Sequence, residues 1–443
     1  MNTMHFTHVV VVLHCECLSM SSFCWYNYWM DTDGYISRSL SAALPKVSTR
    51  FLVLVTGARQ VGKTTMLRHS YPDLGYFSLD SVENREFLAQ QKSSSWKDAP
   101  GSAIIDEIQK QPELLDKVKY AWDEGAIDQT IMTGSSQILL LRQVRETLAG
   151  RVRLLELFAL SPAEISGTAV EETFFTSLCA GTLDIKNVQP LLMPSVADTL
   201  RPAEEYVYRW GGMPALLPLG ETERKLWLAD YRSTYLQRDV TDLARLADLL
   251  PFAKFQRLVA LRAATIVNYA DLARDAGVGA DTARRYFEYL RLSYQAEFLM
   301  PWFSNNAKRL IKSPKIIVMD MGIQRSLTGG WDMDTGELYE NFVIAEMMKQ
   351  IRTMKSEAEL FFWRSSGGAE VDILLKTPRG VWGIELKSRN VVVSHDARHL
   401  RSLAAELGDS WLGGFVVYRG STIEKMDGPS IYALPSWRLW GGL

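Results

Sequence analysis

Cysteine is scarce in this chain: four in 443 residues, with Cys15, Cys17 and Cys24 ahead of Met30 and only Cys179 in the body. One body cysteine forms no internal disulfide, and no zinc-ligand spacing occurs there, so neither a disulfide framework nor a zinc module organises the chain. That usage fits a reducing, cytoplasmic setting. Net charge is nearly absent as well, at −2 from 49 Lys+Arg against 51 Asp+Glu. No global field draws in nucleic acid, and any basic surface has to be local. No run reaches the ~18 apolar residues that a membrane span needs. Val9–Leu13 is apolar but short, is followed by the interrupting His14 and Glu16, and has no Lys or Arg before it, unlike a secretory signal. The pattern changes at Met30. Residues 1–29 read as an extension from a misassigned start, with Met30 the expected beginning, and an intact mass that includes them would sink this expectation.

The length exceeds what one hydrophobic core usually serves, so two or three domains are expected. A 47% hydrophobic and 23% charged composition is ordinary for a globular protein. The most informative stretch is Gly57-Ala58-Arg59-Gln60-Val61-Gly62-Lys63-Thr64-Thr65. It follows an apolar, β-branched run, Phe51–Val55, and no helix breaker comes until Pro72. Strand, glycine loop and helix start make a phosphate cradle: glycines permit the turns, loop N–H groups point inward and the helix adds its positive dipole end. Lys63 is expected to reach the β- and γ-phosphates of ATP, and the Thr64 hydroxyl to bind Mg²⁺.

Ser102–Glu107 reads as a buried strand ending in two acids. Asp106 would hold Mg²⁺ through water, and Glu107 would orient and deprotonate the attacking water. The plainer alternative is a surface Asp-Glu pair. Gln129–Gly134 supplies another strand, expected between the two preceding ones, and Ser135 or Ser136 at its tip would sense the γ-phosphate or form a simple turn. Arg151, after Leu148-Ala149-Gly150, is a candidate arginine finger or a surface arginine. Arg238, beside Asp239, is a second arginine candidate for contact with nucleotide, with structural pairing to a nearby acid the favoured alternative.

These segments resemble a family of prokaryotic AAA-superfamily ATPases with a C-terminal domain of unknown function. The resemblance runs through Ile105-Asp106-Glu107-Ile108-Gln109, Thr133-Gly134-Ser135-Ser136, Leu160-Ser161-Pro162-Ala163-Glu164, Trp210-Gly211-Gly212-Met213-Pro214 and Tyr235-Leu236-Gln237-Arg238-Asp239, besides the loop and Arg151 segments. It covers nearly everything after Met30. Ala58 departs from the proline more common in the family. The resemblance implies ATP binding and hydrolysis, with an unsettled biological role.

The α/β architecture expected is a P-loop parallel sheet over residues 30–200, a helical lid over 201–250, a winged helix-turn-helix over 251–303 and a C-terminal α/β domain over 304–443. In the third segment Tyr269–Ala276 is a short amphipathic helix, Gly277-Val278-Gly279 the turn and Ala280–Leu292 the second helix. Residues 251–330 hold twelve Lys/Arg against six Asp/Glu. This local excess suits nucleic-acid backbone, DNA more than RNA, although no base-reading Asn/Gln pair stands out. Asp320, at the end of Ile316–Met319, reads as a strand-end cap or a metal ligand.

In the last segment Asp372, Glu385 and Lys387 lie on expected adjacent strands, and Glu385 and Lys387, two apart, share a face. Glu340 approaches from a helix. Two or three carboxylates would bind Mg²⁺, and Lys387 would stabilise developing phosphate charge, a restriction-endonuclease-like pattern of Asp followed by Glu-x-Lys. A plain cross-strand ion pair reads the same residues differently. The leading expectation is a Mg²⁺-dependent ATPase whose cycle controls this distal domain on nucleic acid. The rival is a slow ATP-dependent signalling switch acting through protein partners.

Overall fold

The computed structural model describes residues 34–46, 48–134, 144, 146–168, 173–184, 194–235, 249–302, 313–365 and 367–442. Residues 1–29, Ser135, Ser136, Arg238 and Asp239 lie outside the described residues.

The first sheet has β1 (Phe51–Thr56), β2 (Gly75–Ser78), β3 (Ala103–Asp106), β4 (Gln129–Gly134) and β5 (Val152–Glu156), all parallel, in the order β2-β3-β4-β1-β5. β1 is buried along its whole length because both its faces are covered. Val53 and Val55 enter one apolar core with Met66 and Leu67, while Leu52 and Leu54 enter another with Val118 and Leu148. As the sequence led us to expect, β4 separates the loop-bearing β1 from the acid-bearing β3.

Residues 160–210 do not simply link this sheet to a lid. Phe174, Phe175, Leu200 and Val207 join Phe342, Ile373, Phe415 and Trp440 in the largest core, which belongs mainly to the C-terminal half. Phe174 N–H donates to the Gly441 carbonyl (2.8 Å), and Trp440 Nε1 and Ser436 Oγ donate to Glu204 at 3.0 and 3.1 Å. The Pro194–Trp210 helix runs across the boundary expected at 200/201 between sheet and lid. The Glu221–Tyr235 helix joins the core on one face of the first sheet, where its Leu228 and Tyr231 cluster with Val61 and Ile323.

Three helices (Leu250–Leu261, Tyr269–Ala276, Ala280–Leu292) and the antiparallel pair β6 (Ala296–Pro301) and β7 (Lys315–Val318) enclose a further core. Asn268 caps the second helix, and Gly277 ends it with φ +76°. Four arginines of this segment pair with acids of the same segment, Arg262 with Asp275, Arg274 with Asp271, Arg284 with Asp281 and Arg291 with Glu297, which leaves the net basic excess unchanged.

The C-terminal sheet comprises β8 (Glu359–Arg364), β9 (Glu370–Thr377), β10 (Gly380–Lys387), β11 (Trp411–Tyr418), β12 (Glu424–Lys425) and β13 (Ile431–Pro435). β8, β9 and β10 form an antiparallel meander. The Arg398–Leu407 helix then crosses over, so that β11 runs parallel to β10. Helix Gly336–Met354 covers one face through Phe342 and Met347, and Leu400 and Leu403 cover the other. β6 pairs in parallel with β8, making one eight-stranded sheet that runs straight across the boundary expected at 303/304. Main-chain pairing does not stop where composition changes.

Candidate active site

The loop after β1 is shaped by its backbone. A Cβ on Gly57 would lie 2.1 Å from the Leu157 carbonyl oxygen, so only glycine allows this approach. Gln60 and Gly62 are left-handed, with φ +62° and +93°, and Gly62 opens the Lys63–Ser70 helix. Alternation of hand turns successive N–H groups inward, the geometry of an anion cradle. Arg38 supports the cradle from outside, donating to the Val61 carbonyl (2.7 Å) and the Phe158 carbonyl (2.6 Å) and pairing with buried Glu164. Glu164 also completes a capping box with Ser161, which gives the Leu160–Glu164 segment a structural purpose.

Lys63 is buried and its Nζ donates to the carbonyls of Gly57 and Ala58, at 3.0 and 2.9 Å. Thr64 Oγ1 donates to Asp106 Oδ2 at 2.7 Å, bringing the loop and the acid-ending strand together. Tyr76 on β2 donates to the same oxygen at 2.8 Å, and Thr133 on β4 donates to Asp106 Oδ1. Burial, the hydrogen bond to Asp106 and its charge push the Tyr76 phenol up to about 12, so it remains a donor. Glu107 stands at φ +59°, a left-handed conformation rare for a non-glycine residue, with its N–H donating to Thr133 Oγ1 (3.2 Å) and its carboxylate held by Gln109. Arg59 and Thr65 complete the loop segment, and an open cleft of about 530 Å³ passes Thr64, Thr65 and Tyr76.

The structure thus brings together Gly57 through Thr65, Asp106 and Glu107. It does not bring Arg151 to them. Val152 pairs with Leu52 at the start of β1, so Arg151 sits at the sheet edge opposite the loop, where it makes a two-bond pair with Asp123 (2.8 and 3.1 Å). The strand register sets that placement, and within one subunit it corrects the finger expectation. Tyr76 and Thr133 were missed: Thr133 lies two residues before the expected Ser135, and Tyr76 two residues before Ser78 at the end of β2. Asp320 resolves as a cap: its carboxylate accepts from Ile323 N and Gly212 N, both at 3.0 Å. A Cβ on Gly211 would fall 2.2 Å from Asp320 Oδ1, which accounts for the glycine pair in Trp210–Pro214.

The C-terminal residues also gather, with additions. Ile384 pairs with Ile373, so one step further places Glu385 across from Asp372. On the other side of β9 the register slips, with Phe361 opposite Leu374 but Trp363 opposite Val371, a bulge that re-aims Asp372. Glu385 Oε1 accepts from Lys387 Nζ (2.7 Å), and Asp372 accepts from Leu386 N (2.8 Å). Lys315, on β7, lies between Glu340 (2.8 Å) and Glu370 (2.7 Å). Burial, then the Asp372 charge, pushes Glu340 up to about 8 and Glu385 up to about 7; burial raises Asp372 too. Glu385 Oε2 is buried without a hydrogen-bond partner. Among the described residues no three His, Cys, Asp or Glu side chains are placed to hold a metal ion together. Glu340 is therefore not the third ligand of a preformed site, because the Lys315 ammonium holds it.

The first sheet and its site define a P-loop ATPase domain. Residues 49–166 match the AAA domain family, residues 202–333 a domain of unknown function (DUF8612) and residues 335–439 another (DUF4143). An uncharacterized protein of Mycobacterium tuberculosis is 27% identical over 383 residues, covering 83% of this chain and 76% of that protein. Among solved structures, a signal transduction ATPase (STAND) with a tetratricopeptide repeat sensor from Pyrococcus horikoshii has TM-score 0.27 at 12% identity, covering 73% of this chain and 47% of that one. AMPPCP-bound DnaA from Aquifex aeolicus has TM-score 0.22 at 14% identity, covering 60% and 92%. Sheet order, site geometry and the AAA match carry the assignment, not these overall superpositions. Among the described residues no helix is long and apolar enough to cross a membrane.

Proposed function

We propose that this chain hydrolyses ATP with Mg²⁺ and uses the cycle to control its C-terminal domain. The observation that carries the reading is the hydrogen-bonded line Thr64–Asp106–Thr133–Glu107, which joins phosphate loop and acid-ending strand. Thr64 and Asp106 offer hard oxygen donors, the kind that suits Mg²⁺, and the ion would neutralise charge developing on the phosphates. Lys63 would exchange its loop carbonyls for phosphate oxygens. Glu107 would orient and deprotonate the attacking water, with Thr133 holding its main chain. Ser135 stays a candidate for sensing the γ-phosphate, and Arg151 for a neighbouring subunit's site.

The test is ATP turnover with and without Mg²⁺, DNA and RNA, beside nucleotide binding by Lys63→Ala. We expect Mg²⁺-dependent turnover, stimulated by DNA, and no ATP binding by the variant. Tight retention of nucleotide without stimulation would instead favour a signalling switch acting on protein partners.

For the C-terminal domain the same reading assigns phosphodiester chemistry to Asp372, Glu385 and Lys387, with Glu340 in support. The buried, unpartnered Glu385 Oε2 beside Asp372 favours it. The helix-turn-helix and β6–β7 segment reads as a winged helix that would bring DNA to this sheet. Expected is Mg²⁺- or Mn²⁺-dependent nicking of DNA or RNA that disappears in Asp372→Ala and Lys387→Ala while ATPase activity remains. Wild type that cuts nothing under any nucleotide state would leave the domain a binding platform.

A further inference from the structure

Thr56, the last residue of β1 before the phosphate loop, does not end on the ATPase domain's own side chains. Its hydroxyl meets the Tyr294 hydroxyl at 2.7 Å, and both residues are buried. Tyr294 comes from beyond the Ala280–Leu292 helix, and its hydroxyl donates to Glu156 Oε1 at 3.2 Å. Glu156 ends β5 and is gripped at both oxygens by Arg352 of the Gly336–Met354 helix, at 2.8 and 2.6 Å. Arg352 also reaches Glu297 on β6 (3.2 Å), which takes Arg291 of the Ala280–Leu292 helix (2.6 Å). One proton arrangement satisfies the line: Thr56 donates to Tyr294, and Tyr294 to the Glu156 carboxylate.

Tyr294 is the informative member. It stands at φ +64° just past a helix end, a place that backbone energetics gives to glycine. A tyrosine there is explained by what its side chain does. Its ring packs edge-on against Phe158 (5.7 Å), next to Leu157, whose carbonyl presses on Gly57 and whose N–H donates to the Thr56 carbonyl (2.8 Å). The loop's first turn is thereby held by main chain of the ATPase domain that Tyr294 and Arg352 fix in turn.

We propose that Tyr294 and Arg352 are positioning residues of the ATP site supplied by the distal half of the chain, so that the loop and the C-terminal domain sense each other's state. This rests on the ATPase reading above. Removing the hydroxyl in Tyr294→Phe should raise KM for ATP about three- to tenfold, the range of one lost hydrogen bond, with kcat changed less. Arg352→Met should act in the same direction, Arg352→Lys should recover part of the loss, and the Tyr294→Phe/Arg352→Met pair should lose less than the product because both act through Glu156. A non-hydrolysable ATP analogue should slow hydrogen exchange at residues 345–354 of wild type and not of Tyr294→Phe.

Wild-type KM together with unaltered nucleotide-dependent exchange in Tyr294→Phe would overturn the proposal. If that variant does not fold, Thr56→Val against Thr56→Ser carries the test. The serine, which keeps the hydroxyl, should lie closer to wild type, and equal behaviour of the two would overturn it. Wild type that binds no ATP would fail the ATPase reading itself, a result distinct from the others.

Discussion

Asp106, at the end of β3, is met by three neutral hydroxyls from Thr64, Tyr76 and Thr133, whereas Asp372 on β9 shares its surroundings with Glu340, Glu370, Glu385 and two lysines. Neutral donors satisfy the Asp106 oxygens without bringing a cation to them, so the three hydroxyls leave the place of a counter-charge to an incoming ion. At the second, compensation is internal and incomplete, and the acids are pushed toward their protonated forms by burial and by one another. Carboxylates are thus handled in two ways in one chain: Asp106 is held by neutral hydroxyls in the ATPase domain, while the acids of the C-terminal half are crowded against one another and two lysines.

The sharpest way to break this contrast lies in the ATPase domain. Glu107→Gln should bind ATP normally yet turn over about 10²–10³ times more slowly, the usual loss when a general base is removed. A variant hydrolysing at the wild-type rate would remove Glu107 from the mechanism. Next in size is Thr133→Val, which keeps the shape but deletes the hydroxyl between Asp106 and the Glu107 N–H. Turnover should fall about tenfold, and Thr133→Ser should restore most of it; equal rates in valine and serine variants would show that shape, not the hydroxyl, matters.

The C-terminal half answers to pH. Glu204 is pushed up to about 7, mainly by burial, while Trp440 and Ser436 donate to it and pull the other way. Its folded value lies above its unfolded one, so the folded state holds the proton more tightly. The stability involved is fully present below about pH 4.5 and is lost as pH rises through about 7. Glu204→Gln, whose amide oxygen accepts from Trp440 Nε1 and whose amide N–H₂ donates to the Ser436 hydroxyl in reverse, should melt near wild type at pH 5 and higher at pH 8, by roughly 1–2 kcal/mol, because the residue is partly exposed and solvent screens part of the penalty. Identical melting curves across that range would remove Glu204 from the pH response. The smallest effect is expected of Arg151→Ala. With its exposed Asp123 pair as its role, turnover by the isolated subunit should change by less than about twofold. A hundredfold loss would place Arg151 in a neighbouring subunit's site.

Legibility follows how local each feature is. Residues 57–65 were readable because a phosphate loop is a contiguous backbone device, and Asp106–Glu107 because a buried apolar run must end at a sheet edge. Asp372 and the Glu385–Lys387 pair were readable as strand neighbours through their two-residue period. Lys315 and Glu370 were not, since their partners stand 25 and 55 positions from Lys315. The helices of residues 160–210 carry apolar faces, but no periodicity says which of two sheets will cover them.

The sequence by itself determined that this chain makes a parallel P-loop sheet with a lysine, a threonine and two acids at one edge, because glycine placement and β-branched runs act within a few residues. Tertiary structure alone decided the rest. The register of β5 against β1 carried Arg151 to the far edge, and the bulge in β9 set the aim of Asp372. Closure of the distal half brought Tyr294 and Arg352 to Thr56 and Glu156, 238 and 196 positions away along the chain. Such contacts depend on strand pairing and core closure, which are settled only once the whole apolar surface is buried.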